Sequence, residues 1–281
     1  MTLINLVKQK IDVCVAVAFV TYKEWGAYRT HSMVSILVGP IYFIVLYFIW
    51  TAVYGGAHPE GAARVLNGIE YTQMIRYFGV TALIGYLTMD FADWNLSMLI
   101  RTGKFLTFAL RPLNHRFFAL SQKVGHRSLG FIVEFIPCLL IFTLLFGIDM
   151  RPAYFGWAFL SVALAFLMNF FVNYCIGMTS FWFTQSEGIR AVYSLAASVF
   201  SGMLIPLVFF PAPIQMIQFF LPFQYTIYVP AMVFLGNYSL GDISMTIPQI
   251  VCIQAAAVLI MFLVSEFMYK AAIKQFTAVG A

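Results

Sequence analysis

Residues 101–127, RTGKFLTFALRPLNHRFFALSQKVGHR, carry six Lys/Arg, two His and no acidic residue. Such a block could cradle a phosphate or pair with carboxylates. Gly103 and Lys104 form the chain's only Gly-Lys pair. A phosphate-binding loop needs a glycine where Met98 stands and Ser or Thr where Phe105 stands, so no nucleotide site is expected. There is no HExxH, the four His are scattered, and no Ser/His/Asp grouping can be argued from spacing. The chain reads as no enzyme, with no metal and no cofactor of its own. The net charge of +5 is no nucleic-acid signal, because the basic residues are interleaved with membrane-length apolar runs.

Other polar residues interrupt apolar stretches. Glu134 is a carboxylate inside an apolar run, which marks either a functional site or a snorkelling ion pair with Arg127, seven residues back on the same helix face. Asn169 and Asn173 are spaced i, i+4, with Gly177 a turn on; they either bond to a neighbouring helix or line a pathway. Ser194, Ala197, Ser198, Ser201 and Gly202 form a small-residue stripe suited to close helix packing, within the chain or against a second subunit. Cys14, Cys138, Cys175 and Cys252 stand singly in apolar surroundings and read as small buried hydrophobes.

The elements that position these residues follow from composition. The chain is 62% hydrophobic and 10% charged, against about 25% charged in a soluble domain. Its solvent is therefore the lipid bilayer. A crossing needs about 20 apolar residues, which predicts an all-α protein with spans at 32–54, 71–92, 128–148, 153–180, 191–209 and 243–268. Arg76 and Asp90 are expected to snorkel at opposite ends of the second span. Residues 1–30 predict a helix on the membrane surface, with a short buried helix as the other reading. Residues 191–241 carry no charge but contain five of the eleven prolines. A helix across 191–209 followed by a broken hairpin over 211–236, with Pro211, Pro213, Pro222 and Pro230, accounts for this better than two crossings. Six spans with the N-terminus inside place thirteen of the sixteen Lys/Arg on the cytoplasmic side, as the positive-inside rule requires. Both termini are then cytoplasmic, the hairpin lies outside, and 93–127 is the largest cytoplasmic segment.

Within that segment Arg111 precedes Pro112 and is pushed out of helical geometry. Asn114 can cap a helix whose stripe is Phe117, Leu120 and Val124, and Gly125 can end it. Leu110 and Leu113 flank the proline, and Arg111 and Arg116 form a basic rim.

Three stretches carry a resemblance: RTGKFLTFALRPLN (101–114), SGMLIPLVFFPAPIQMIQFFLPFQYTIYVPAMVFLG (201–236) and YKAAIKQFTAVGA (269–281). Their basic residue with glycine and Leu-Arg-Pro-Leu-Asn, their Ile-Pro, Phe-Pro and Leu-Pro-Phe steps and their Ile-Tyr-x-Pro resemble the ABC-2 type permeases, the membrane subunits of one class of ATP-binding-cassette exporters. The likeness covers essentially the whole chain. It departs at Leu207–Phe210, wholly apolar where many relatives carry an acidic residue. The resemblance implies that 93–127 is a coupling helix seated in a separate ATPase subunit, where ATP and Mg would bind. Arg101, Gly103, Lys104, Arg111, Pro112, Leu113 and Asn114 match the family pattern. It further implies that 211–236 is a pair of outer re-entrant helices, that two permeases (identical or related) join two ATPases in the cell membrane, and that transport runs outward. The competing class is an ATP-independent carrier or channel, which would pair intramembrane charges across inverted repeats; no such repeat is detected.

Overall fold

The computed structural model describes residues 3–27, 29–55, 65–110, 114–183 and 186–275. Helices α1 (Leu3–Ala27) and α2 (Arg29–Val53) lead to a small hairpin, β1 (Val65–Leu66) with β2 (Ile69–Glu70). Helix α3 (Tyr71–Thr88) follows, then α4 (Ala92–Arg101) and the single turn α5 (Leu106–Ala109). Helix α6 (His115–Leu145) includes two π-helical turns, at Phe131–Phe135 and Ile141–Leu145. Next come α7 (Phe155–Met178), α8 (Glu187–Phe200), α9 (Ala212–Phe220) and α10 (Tyr228–Leu235). A second hairpin, β3 (Tyr238–Leu240) with β4 (Ile243–Met245), precedes α11 (Ile247–Gln275).

Among the described residues four helices are long and apolar enough to cross a membrane: Val34–Val53, His115–Leu145, Phe155–Phe181 and Ile247–Gln275. The other two expected spans differ. Helix α3 is central, with Met74, Phe78, Val80 and Ile84 all buried. Helix α8 has only 14 residues, about 21 Å at 1.5 Å per residue, and stops where Gly202 turns left-handed at φ +85°. The last helix begins at Ile247, because 243–245 is a strand rather than the start of a span.

The largest departure concerns the basic segment. Gly125 does not end a helix. Helix α6 runs unbroken for 31 residues, about 46 Å against a hydrocarbon core of about 30 Å. Gly125 serves a different need: a Cβ there would lie 2.1 Å from the carbonyl oxygen of Ala18, so its absence lets α1 lie directly on α6. Small residues at helix crossings are how membrane helices approach closely. The remainder of α1 leaves Ile11, Val15 and Phe19 exposed in one stripe.

Pro40 sits inside α2 and cannot donate to the carbonyl of Ile36 four residues back. Tyr86 of α3 repairs the gap. Its hydroxyl lies 3.1 Å from Ile36 O and 2.9 Å from Ser35 O, and accepts from Gly39 N at 2.6 Å. Gly39 is bare for this purpose, since a Cβ would collide with the Tyr86 ring.

Candidate functional site

Helix α4 ends at Arg101. Gly103 reverses the chain at φ +70°, and Phe105 is driven into the core against Phe181 and His115, with ring centroids 5.0 and 5.4 Å away. That anchor leaves Lys104 exposed and Leu110 79% exposed. Arg111, Pro112 and Leu113 lie outside the described residues. Asn114 then caps α6 as expected, its side chain accepting from Arg116 N at 2.9 Å. Phe117 and Val124 are about half-exposed, and Leu120 packs on the core.

The basic residues behave differently from a rim. Arg116 is 4% exposed. It pairs with Glu266 of α11 at 2.6 Å, donates to Ser265 Oγ at 2.9 Å and covers the Phe262 ring at 4.4 Å. Lys123 reaches Asp90 at 3.3 Å and donates to Phe166 O at 2.8 Å. Arg127 pairs with Glu134 at 3.1 Å and donates to Tyr86 O at 2.7 Å. Three of the six cations are thus spent inside the chain, where a buried charge must be paired. Two expectations fall with them. Arg116 turns inward, away from any partner, and Asp90 is buried under Lys123 instead of snorkelling. Of the two readings of Glu134, the ion pair with Arg127 is the one the geometry displays. Gly130 makes room for it, since a Cβ there would lie 2.9 Å from Glu134 Oε2. Arg76 bonds to the Arg151 carbonyl and lies 3.9 Å from Asp149.

Helix α4 is tied to the start of α8 by side chains whose partners sequence reading did not foresee. Asp93 pairs with Arg190 at 2.7 Å, and Arg101 with Glu187 at 2.7 Å. The hydroxyls of Ser97, Ser180 and Ser186 bond to one another between these pairs. Burial pushes the Asp93 carboxyl up from its ordinary range; the Trp94 N–H and the Arg190 guanidinium pull it partly back. Helix α7 backs this junction closely, since a Cβ on Gly177 would lie 3.0 Å from Asp93 Cα and O. The sequence signal was faint: Arg190 is the only basic residue between 152 and 269.

Asn169 donates to Thr88 O of α3 at 2.7 Å, and Asn173 to Asn169 Oδ1 at 3.1 Å, which is the interhelical reading. The small-residue stripe packs only at its end. No residue of α8 is buried, whereas Ser201 is, and Gly202 O accepts from Tyr77 at 2.6 Å.

The prolines of 211–236 sit at or near the starts of short helices, where no backbone donor is missed. Pro211 is the cap of α9 and Pro213 lies in its first turn; Pro222 opens a 3-10 turn and Pro230 lies in the first turn of α10. Helix α10 is buried from Tyr228 to Val233. Gln254 of α11 ties α7 to this segment, accepting from Ser161 Oγ at 2.6 Å and donating to Tyr225 O at 3.0 Å.

Comparison with known sequences bears on these features. Among individually characterised proteins none matches the chain. The family model described as ABC-2 family transporter protein matches residues 40–280. A match over nearly the whole of a helical chain with several membrane-length apolar helices is decisive: the chain belongs to the ABC-2 family of transporter proteins, as a multi-pass membrane permease of that family.

Proposed function

We propose that this permease is the membrane half of an exporter powered by ATP hydrolysis in a separate subunit, which contacts it through residues 101–117. The observation that carries the reading is the exposed tip bearing Lys104, Leu106, Leu110 and Phe117. Among the described residues of the segment, Phe105 is anchored in the core and Asn114 caps α6. Arg101, Gly103, Arg111, Pro112 and Leu113 complete the contact, while Arg116 braces it from inside. ATP and Mg belong to the partner. Helices α3 and α8 complete six crossings, both termini are cytoplasmic, and α9 and α10 form the outer gate. A second permease, identical or related, supplies the rest of the pathway. The outward direction rests on family analogy.

An apolar tip fits an apolar cleft, and a carboxylate forced into that cleft is left unpaired. Leu113→Asp and Leu110→Asp are expected to leave membrane insertion intact and to lower the amount of ATPase that copurifies by at least tenfold, with transport falling alongside. Undiminished ATPase recovery in both variants would remove the coupling role.

The orientation has its own test. In a background without native cysteines, a membrane-impermeant maleimide added outside should label a cysteine at Asn237 and spare one at Lys274. Equal labelling of the two contradicts the topology.

A further inference from the structure

Helices α1, α4, α5 and α6 and the 89–91 turn line a partly open cavity of about 430 Å³. This falls within the range of small-molecule sites, roughly 300–1,000 Å³, and far exceeds the space of one water, about 30 Å³. We propose that it is a binding site for a small, uncharged, planar molecule bearing an N–H or O–H donor. The inference stands whether or not the chain is driven by an ATPase.

Three features of the lining define that class. The first is unmet hydrogen bonding. His115 is 2% exposed. Its Nδ1 lies 3.0 Å from the Tyr174 hydroxyl, while its Nε2 has no hydrogen-bond partner among the described residues. The Asp90 side chain is 3% exposed. Its Oδ1 accepts from Ala92 N at 3.0 Å and its Oδ2 is paired with Lys123 Nζ at 3.3 Å. Buried polar atoms are ordinarily satisfied, so His115 Nε2, on a residue lining the cavity, is an exception. With Nδ1–H donating to the Tyr174 hydroxyl, Nε2 accepts, and it asks for a donor.

The second feature is flat walls. Trp25 and His126 stack with centroids 4.0 Å apart, and Phe91 lies 5.7 Å from His126. Phe108 and Phe118, 4.9 Å apart, contribute another aromatic surface. Such rings favour a planar partner through stacked or edge contacts. The third is charge balance. Glu24 and Asp90 are matched by Lys104 and Lys123, so a net charge on the ligand would enter without a counter-ion, which is costly.

The cavity has as one wall Thr21, Glu24 and Trp25 of α1, the helix that crosses α6 at Gly125. It stands directly behind Lys104 and Phe108, so an occupant would bridge α1 and the exposed tip.

The test uses the full-length chain in lipid nanodiscs without any ATPase. The probe is lumichrome, an uncharged fluorescent tricycle with N–H donors. Saturable binding is expected, against only linear uptake by empty nanodiscs. His115→Phe keeps the ring but removes Nε2, and should weaken binding at least tenfold. Ala119→Phe fills the cavity from α6 and should abolish saturation; Thr102→Trp narrows its exposed rim and should weaken binding should the Ala119 variant fail to fold. Proflavine, a cationic planar tricycle, should bind at least tenfold more weakly than lumichrome. Linear uptake identical to empty nanodiscs would mean a water-filled space and overturn the proposal. Wild-type affinity in the folded variants, or equal affinity for proflavine, would overturn it too.

Discussion

Lys123→Met is expected to destabilise the chain by about 3–5 kcal/mol, the loss typical of removing one partner of a buried ion pair. Both side chains are almost wholly covered, Lys123 at 2% and Asp90 at 3% exposure. The variant leaves the Asp90 carboxylate in that setting with only backbone N–H donors, those of Ala92 and Phe91. Adding Asp90→Leu should recover most of the loss, because replacing a whole buried pair with apolar groups is often neutral or better. Unfolding in mixed micelles, followed by denaturant titration of the single and double variants, measures both effects. A single variant as stable as wild type would mean that water reaches the pair.

The second large effect concerns transmission, and it rests on the proposed ATP coupling. Helix α8 has no fully buried residue; Tyr193 stacks on Phe223 with centroids 5.7 Å apart, and its polar fastenings lie at its ends. One end is tied to α4 by Asp93–Arg190 and Arg101–Glu187; beyond the other, Gly202 O is held by Tyr77. A displacement of the exposed tip therefore reaches α8 through α4, as well as moving the spans continuous with the loop. Arg190→Glu sets two carboxylates against each other and should lower transport by about tenfold, within the usual 1–3 kcal/mol of coupling between sites. ATPase copurification should persist. The swap Asp93→Arg with Arg190→Glu should restore part of the transport. Glu187→Ala should have little effect on stability, because exposed pairs contribute about 0–1 kcal/mol. Transport unchanged in Arg190→Glu would show that α8 is not moved through this clamp.

Local signals were readable from the residues. The Asn114 cap follows from a short-range rule and is present; an apolar helix of membrane length covers most of the expected fourth span, and the prolines after Pro211 start short helices. What escaped were features whose cause lies elsewhere in the chain. The basic residues of α6 looked like a boundary because they interrupt an apolar pattern; their partners Asp90 and Glu266 are far away in sequence, so nothing local showed that the helix continues. Gly125 looked like a stop because glycine favours left-handed caps, whereas its role is set by Ala18 on another helix. The mid-helix Pro40 is tolerated because Tyr86 answers it. The cavity was equally hidden, since its lining is gathered from α1, the 89–91 turn, α4, α5 and α6.

The Arg116 pairing also has a consequence in time. Ser265, which Arg116 contacts, lies 149 residues later, and Glu266 follows it. At a synthesis rate of about 5–20 residues per second, Arg116 waits roughly 7–30 s for these partners. On the proposed topology its charge is bare beside the membrane throughout that interval and can hold α6 to the cytoplasmic side. When α11 arrives the same charge is concealed. On that topology the cation acts first as an address for insertion and afterwards as a latch, and the late helix fixes an orientation that was chosen before it was made.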